Sequence, residues 1–244
     1  MAKIDLKPAS GLPITYENGE IVTKELSFKE KKVVTIDGIR TQLLNKELDC
    51  PDVFYTKYKI IDQNNIYQEK GIKINIITIE PNLAGIEYVK TKVTRCKNFP
   101  RIIEILSGAG IVLLQKYKSP KDNITYKVSC KKGQKIIIPS GFAMVVVNTR
   151  QNSTLIFAEY LSTNARCRVV LDDNSGMAYY VIRKNAKQEV VRNPNYKIVN
   201  EPKKIDMEKI VQSCGITLKT PVIKQAIRKY EKFDWLFKEN SISF

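Results

Sequence analysis

Between Val53 and Leu161 the chain is a succession of short segments rich in β-branched and aromatic residues, separated by Gly, Pro, Asn and Asp. Segments 53–61, 73–79, 85–92, 101–106, 111–116, 125–129, 134–138, 144–148 and 155–161 each read as a strand. Such side chains fit a pleated, half-buried surface, and turn residues this frequent leave no room for helices between them. Many short strands at regular spacing bury their apolar faces in a sandwich or a closed barrel, so an all-β fold is expected. A further strand is expected over 177–183, after which Asn193-Pro194-Asn195-Tyr196 marks a turn and the edge of the β region.

The flanks differ in character. Residues 1–50 mix polar stretches with one short helix expected over 41–48, and read as an N-terminal arm laid on the barrel of residues 51–200. Residues 201–244 read as a helical C-terminal extension. Thr220-Pro221 offers an N-cap and a first helical position, and Val222, Ile223, Ala226, Ile227, Tyr230 and Phe233 then recur at three- and four-residue steps. That apolar face is expected to be covered, either by the barrel or by a protein partner with Trp235 and Phe237 as anchors.

Composition narrows the chemistry. The 244 residues contain no histidine, which removes the commonest metal ligand and general base. Cysteines at 50, 96, 130, 167 and 214 are odd in number and never spaced as CxxC, so free thiols are expected rather than a disulfide framework or a zinc ribbon. The formal charge of +16 favours contact with polyanions such as nucleic acid, although the basic residues are scattered and Lys abundance alone accounts for them equally well. No apolar run approaches the roughly 20 residues of a membrane helix, and the N-terminus has no signal-like stretch, so a cytoplasmic protein is expected.

One spaced motif stands out. Gly133, five residues on Pro139-Ser140-Gly141, two residues on Met144, and three residues on Asn148 match the second signature of the cupins at every spacing, with Met144 where a ligand histidine would stand. Counting back from Gly108 sets Arg101 in the glutamate slot of the first signature and Thr94-Arg95-Cys96 in its HxH slot; Tyr88 replaces the opening glycine. Segments 85–92, Gly108-Ala109-Gly110, Leu113-Leu114-Gln115, Phe157-Ala158-Glu159-Tyr160 and 190–197 further resemble the archaeal, cupin-type glucose-6-phosphate isomerases.

The resemblance implies a double-stranded β-helix (jelly-roll) barrel, a homodimer formed through it, and an enzyme that interconverts an aldose and a ketose phosphate through an enediol. In that family two histidines, a glutamate and a third histidine hold a divalent metal. Thr94, Cys96, Arg101 and Met144 stand at the matching positions, and none is a donor suited to a hard cation, so no metal and no cofactor are expected. Thr91 and Tyr160 match family positions near the substrate, and Arg166 falls where the family carries a histidine. With Arg101 they form a candidate anion or sugar-phosphate site, while Arg101 facing outward or pairing with Glu104 or Glu159 is the alternative. Ile103, in place of a pocket tyrosine, implies a drier pocket. Glu87 and Glu159 are the only acidic residues considered as surviving bases. The expected function is a non-catalytic binding or structural module of a larger assembly. The alternatives are a metal-independent or weakly active isomerase and a nucleic-acid or ribonucleoprotein-associated protein.

Overall fold

A computed structural model describes residues 3–62, 66–119, 122–197 and 200–244. Among these the strands form antiparallel sheets. The largest runs in the order Lys135–Ile138, Arg101–Ser107, Leu155–Ser162, Ile72–Ile79, Val53–Asp62, Leu26–Thr35. Facing it is a sheet of Asp122–Lys131, Ala109–Ser119, Ala143–Asn148, Thr94–Cys96 and Cys167–Val169. From Thr94 to Val169 the chain crosses repeatedly between the two, staying within one sheet only for the hairpin Ala109–Ser119 and Asp122–Lys131, which makes a jelly-roll barrel. A smaller sheet built on the hairpin Tyr179–Lys184 and Lys187–Arg192 adds Glu87–Tyr88 and Leu83–Ala84.

The turns of the spaced motif are where the chain changes direction. Gly108, at φ +79°, lets the chain leave Arg101–Ser107 and enter Ala109–Ser119 in the opposite sheet; a Cβ there would lie 2.6 Å from the Thr154 carbonyl. Phe142 N donates to Pro139 O and closes the turn into Ala143–Asn148. Asn148, fully buried, donates through Nδ2 to the carbonyls of Ile79 and Ser153 and accepts from Arg150 N, so it ties the loop 149–154 to the end of Ile72–Ile79. Gln115 and Tyr196, more than 80 positions apart in the sequence, meet at 3.2 Å, and Gln115 also accepts from Ala178 N.

Side chains along each strand alternate between faces. Ile74, Ile76, Ile102, Glu104 and Tyr160 point away from the facing sheet, and both ends of the chain cover them. The first residues contribute Leu6, Leu12 and Ile14 to this core, and the last contribute Val211, Val222, Ile223, Ala226, Phe233 and Leu236. The apolar stripe of the C-terminal segment is therefore spent on the chain's own barrel. Trp235 donates to Cys214 O at 3.1 Å and Phe237 stacks on Tyr230.

Four expectations change. The N-terminal helix is a single turn at Ile36–Ile39 followed by a 3-10 turn at Arg40–Gln42, because Leu43 turns extended to enter the core. The strand expected over 85–92 is broken into Glu87–Tyr88 and an isolated bridge of Lys90 to Val147. The late helix covers Val222–Arg228, with Pro221 as the N-cap residue and no side-chain cap. The Glu104 carboxylate, projecting from the barrel, accepts the Val222 N–H instead. Two of the five thiols are not free: Cys96 and Cys167 are directly opposite each other in paired strands and form a disulfide, while Cys50, Cys130 and Cys214 remain thiols.

Candidate anion-binding site

The inner face of the six-stranded sheet carries an unusual row. In Val53–Asp62 and Ile72–Ile79 the side chains pointing into the barrel include Tyr55, Lys57 and Lys59, then Lys73, Asn75 and, deeper in, Ile77. The next strands add Glu159 and Arg101. Arg101 is 1% exposed, the largest fully buried side chain of the protein. Its Nη1 donates to Thr94 Oγ1 at 2.9 Å and to Glu159 Oε1 at 3.1 Å, and its Nη2 donates to Thr94 O at 2.7 Å. Glu159 also accepts from Asn75 Nδ2 at 2.9 Å and Lys57 Nζ at 3.4 Å. Burial alone would raise the Glu159 carboxyl; the charges of Lys57 and Arg101, with the hydrogen bonds, outweigh it and hold the group at about 2. Arg101 Nε and Asn75 Oδ1 are buried without a hydrogen-bond partner.

Above this floor opens a recess of about 590 Å³, bounded by the edge strand Leu26–Thr35 on one side and by Ala165 to Val169 on the other. Eight basic side chains line it against two acidic ones, Glu30 and Glu159. Glu30 is already paired with Lys59. Lys73 is half-buried and donates to Ala165 O at 3.1 Å; burial and the neighbouring Arg166 push its ammonium below the ordinary lysine value. Deeper in the barrel only about 40 Å³ remains, between Tyr55, Thr91, Thr94, Met144 and Glu159. The interior is thus nearly filled by side chains, and the open volume is at the mouth.

The residues singled out from the sequence separate into groups. Thr94, Arg101 and Glu159 meet directly. Met144 pairs with Thr94 in the strand register and lines the inner cavity. Thr91 lines the same cavity, with its hydroxyl accepting from Val146 N at 3.1 Å. Arg166 is exposed at the rim. Cys96 is committed to the disulfide with Cys167. Tyr160 is not at the site, because it follows Glu159 on the strand and points to the opposite face, where its hydroxyl donates to Glu104 Oε2 at 3.1 Å. Glu87 is also elsewhere: buried beneath the N-terminal segment, it pairs with Lys90 and accepts from Leu44 N at 2.9 Å.

Lys57, Lys73, Asn75 and Arg168 were not singled out from the sequence. The signal for them was the alternation Tyr55, Lys57, Lys59, which ordinarily marks a solvated face and here marks the barrel interior.

As a metal site the four positions do not fit. A guanidinium offers no lone pair, the thioether of Met144 is a soft donor, and Cys96 is oxidised. Among the described residues no three His, Cys, Asp or Glu side chains come together as a metal would need. Nor is any described helix long and apolar enough to cross a membrane.

Among solved structures the chain is similar to the coconut allergen cocosin, at 19% identity over 47% of this chain and 32% of that one, with a TM-score of 0.36. It is also similar to a cupin 2 conserved barrel domain protein from Rhodopseudomonas palustris, at 12% identity over 50% and 70% of the two chains, with a TM-score of 0.35. A cupin-2 domain from Rhodospirillum rubrum gives 12% identity over 52% and 73%, with a TM-score of 0.36. The chain therefore spans about a third of the length of the coconut protein. No curated protein matches. The model of the family described as Glucose-6-phosphate isomerase (GPI) matches residues 33–199, which include every strand of the barrel from Val53 onward and the whole floor of the recess. The chain belongs to the glucose-6-phosphate isomerase family.

Proposed function

We propose that this chain is a cupin of that family whose barrel binds an anion through cations of its own side chains and performs no isomerisation. The observation that carries the reading is the fully buried guanidinium of Arg101, clamped by Thr94 and Glu159 at a position where the family places a metal ligand. The excess of Lys and Arg around the recess, beyond the charge that Glu159 and Glu30 neutralise, attracts phosphate or carboxylate. It also repels a divalent cation.

Isomerisation needs a base that moves a proton between adjacent carbons, matched in pKa to neutral pH. Glu159, held at about 2 by Lys57, Arg101 and Asn75, is ionised but has its oxygens committed to those partners. Glu87 is sequestered by Lys90 and lines neither the recess nor the inner cavity. Glu30, the other carboxylate of the recess, is paired with Lys59, so among the described residues that line it no carboxylate is free, which supports a binding role over a catalytic one.

A coupled assay of fructose-6-phosphate conversion to glucose-6-phosphate, on protein freed of host isomerase and with or without added Mn(II) or Fe(II), tests this. The expected result is no turnover under either condition, with less than stoichiometric Fe, Mn, Zn or Ni by elemental analysis. Metal-stimulated turnover, or one full equivalent of bound metal, would refute it.

A further inference from the structure

The larger recess does not stand alone. On the far side of the strand Cys167–Val169 lies a second hollow of about 390 Å³, which adds Arg95 and Lys97 against Glu239. Arg166 and Arg168 line both hollows. Among the described residues neither arginine has an ion-pair partner, nor do Lys32, Lys92, Arg95 and Lys97, so among them the cations outnumber the carboxylates that could neutralise them. The cations continue from the edge strand Leu26–Thr35, across the barrel mouth and over Arg168, further than one phosphate can neutralise. Phe99, half-buried and packed against Cys96, Leu161 and Ala165, also lines the second hollow beside the cations.

Resting on the anion-binding reading above, we propose that the two hollows form one groove that takes the phosphodiester backbone of single-stranded nucleic acid, with Arg166 and Arg168 as the central phosphate contacts and Phe99 as a base-stacking position. A positive groove that tracks a backbone beside an aromatic ring is how sequence-tolerant single-strand binders work. Concavity selects the strand number, because a flexible single strand follows two hollows across a ridge and a rigid duplex does not.

The test is fluorescence anisotropy with a labelled 12-nucleotide oligo(U), titrated at several salt concentrations beside a 12-base-pair duplex. Phosphate contacts release counterions, so affinity should fall steeply with salt. The double substitution Arg166→Gln/Arg168→Gln alters only exposed side chains. It should weaken binding by roughly tenfold or more and lower the log–log salt slope by about 1.4, at about 0.7 for each contact to a single strand. A control of equal charge change, Lys184→Gln/Lys187→Gln on the hairpin outside both hollows, should leave affinity unchanged. Phe99→Leu keeps an apolar side chain and should weaken oligo(U) but not inorganic tripolyphosphate, which has no base to stack.

Equal losses in the control would mean that net charge alone binds, and would overturn the proposal. So would tighter binding of duplex than of single strand, or a Phe99→Leu variant indistinguishable from the parent. Calorimetry with inorganic phosphate separates the two levels. Phosphate bound without oligo(U) sinks the groove and leaves the anion pocket standing, whereas failure of both sinks the pocket as well.

Discussion

The buried pair at the floor of the recess lends itself to a quantitative test. In Arg101→Met a side chain of similar length replaces the guanidinium, and Glu159, 5% exposed, is left with Asn75 at 2.9 Å and Lys57 at 3.4 Å. Removing one partner of a buried ion pair costs about 3–5 kcal/mol, because the remaining charge is desolvated without compensation. Lys57 stays in place, so a loss near the lower end, about 3 kcal/mol, is expected. For a chain of this size that corresponds to a fall in Tm of roughly 6–12 °C. Replacing both, as Arg101→Met/Glu159→Leu, removes the stranded charge and should recover most of the loss. Acid titration adds a second readout. Glu159 lies at about 2 in the folded chain against an ordinary glutamate value of 4.5, so its contribution is complete above pH 4.5 and is lost as pH falls towards about 2. From that interval the parent should lose about 3 kcal/mol in acid, and Arg101→Met should lose less. Urea melts of the parent and the two variants between pH 2 and 7 measure both effects. A single variant within about 1 kcal/mol of the parent, or a double variant no better than the single, would mean that the pair does not organise the floor.

Three further outcomes follow from other contacts. Thiol titration without reductant should count three groups in denaturant and five after reduction, with Cys50 reacting first in the native protein and Cys130, whose thiol burial pushes up to about 12, reacting only on unfolding; five thiols before reduction would contradict the Cys96–Cys167 pair. Glu104→Ala removes the acceptor of Val222 N and the counter-charge 3.3 Å from the buried Lys135 ammonium, so it should cost about 3 kcal/mol or more and speed tryptic cleavage at Lys224 and Arg228, whereas parental cleavage rates would show that Glu104 does not hold the C-terminal extension. Gly110→Ala should be far more damaging than Gly133→Ala, because a Cβ at 110 would sit 2.1 Å from Val147 O while one at 133 meets nothing within 4 Å, leaving only the roughly 1 kcal/mol penalty of its positive φ; equal melting temperatures would refute this.

Much of the barrel was legible because its strands obey local rules. Segments such as Ile72–Ile79, Arg101–Ser107 and Leu155–Ser162 are branched, short and bounded by turn residues, and the structure extends most of the expected strands by only one or two residues. The strand Leu26–Thr35 escaped notice for a physical reason. It is an edge strand whose KEKK stretch lies in solvent on both faces, and charge of this kind protects a free edge but erases the apolar alternation by which a strand is read. The disulfide was invisible for a different one. Cys96 and Cys167 are 71 positions apart, and only the pairing of two three-residue strands sets them opposite each other.

The site was half legible, and the division follows the pleat. Spacing alone led to Thr94, Arg101 and Met144, because the turns that fix their register survive in Gly108, Pro139 and Asn148. Spacing did not say which way a side chain points. In an open sheet, lysines at alternate positions face water and isoleucines face the core; here both ends of the chain cover the outer face, so Ile72, Ile74 and Ile76 turn outward beneath them, while Lys73 and Asn75 turn in on the same face as Ile77. The arm and the C-terminal extension thus do more than add apolar area. By sealing the convex face they reverse its polarity, and that reversal makes the barrel mouth cationic. If the chain truncated after residue 200 remains folded and still binds phosphate as the full chain does, the covering of the outer face is not what sets the character of the inner one.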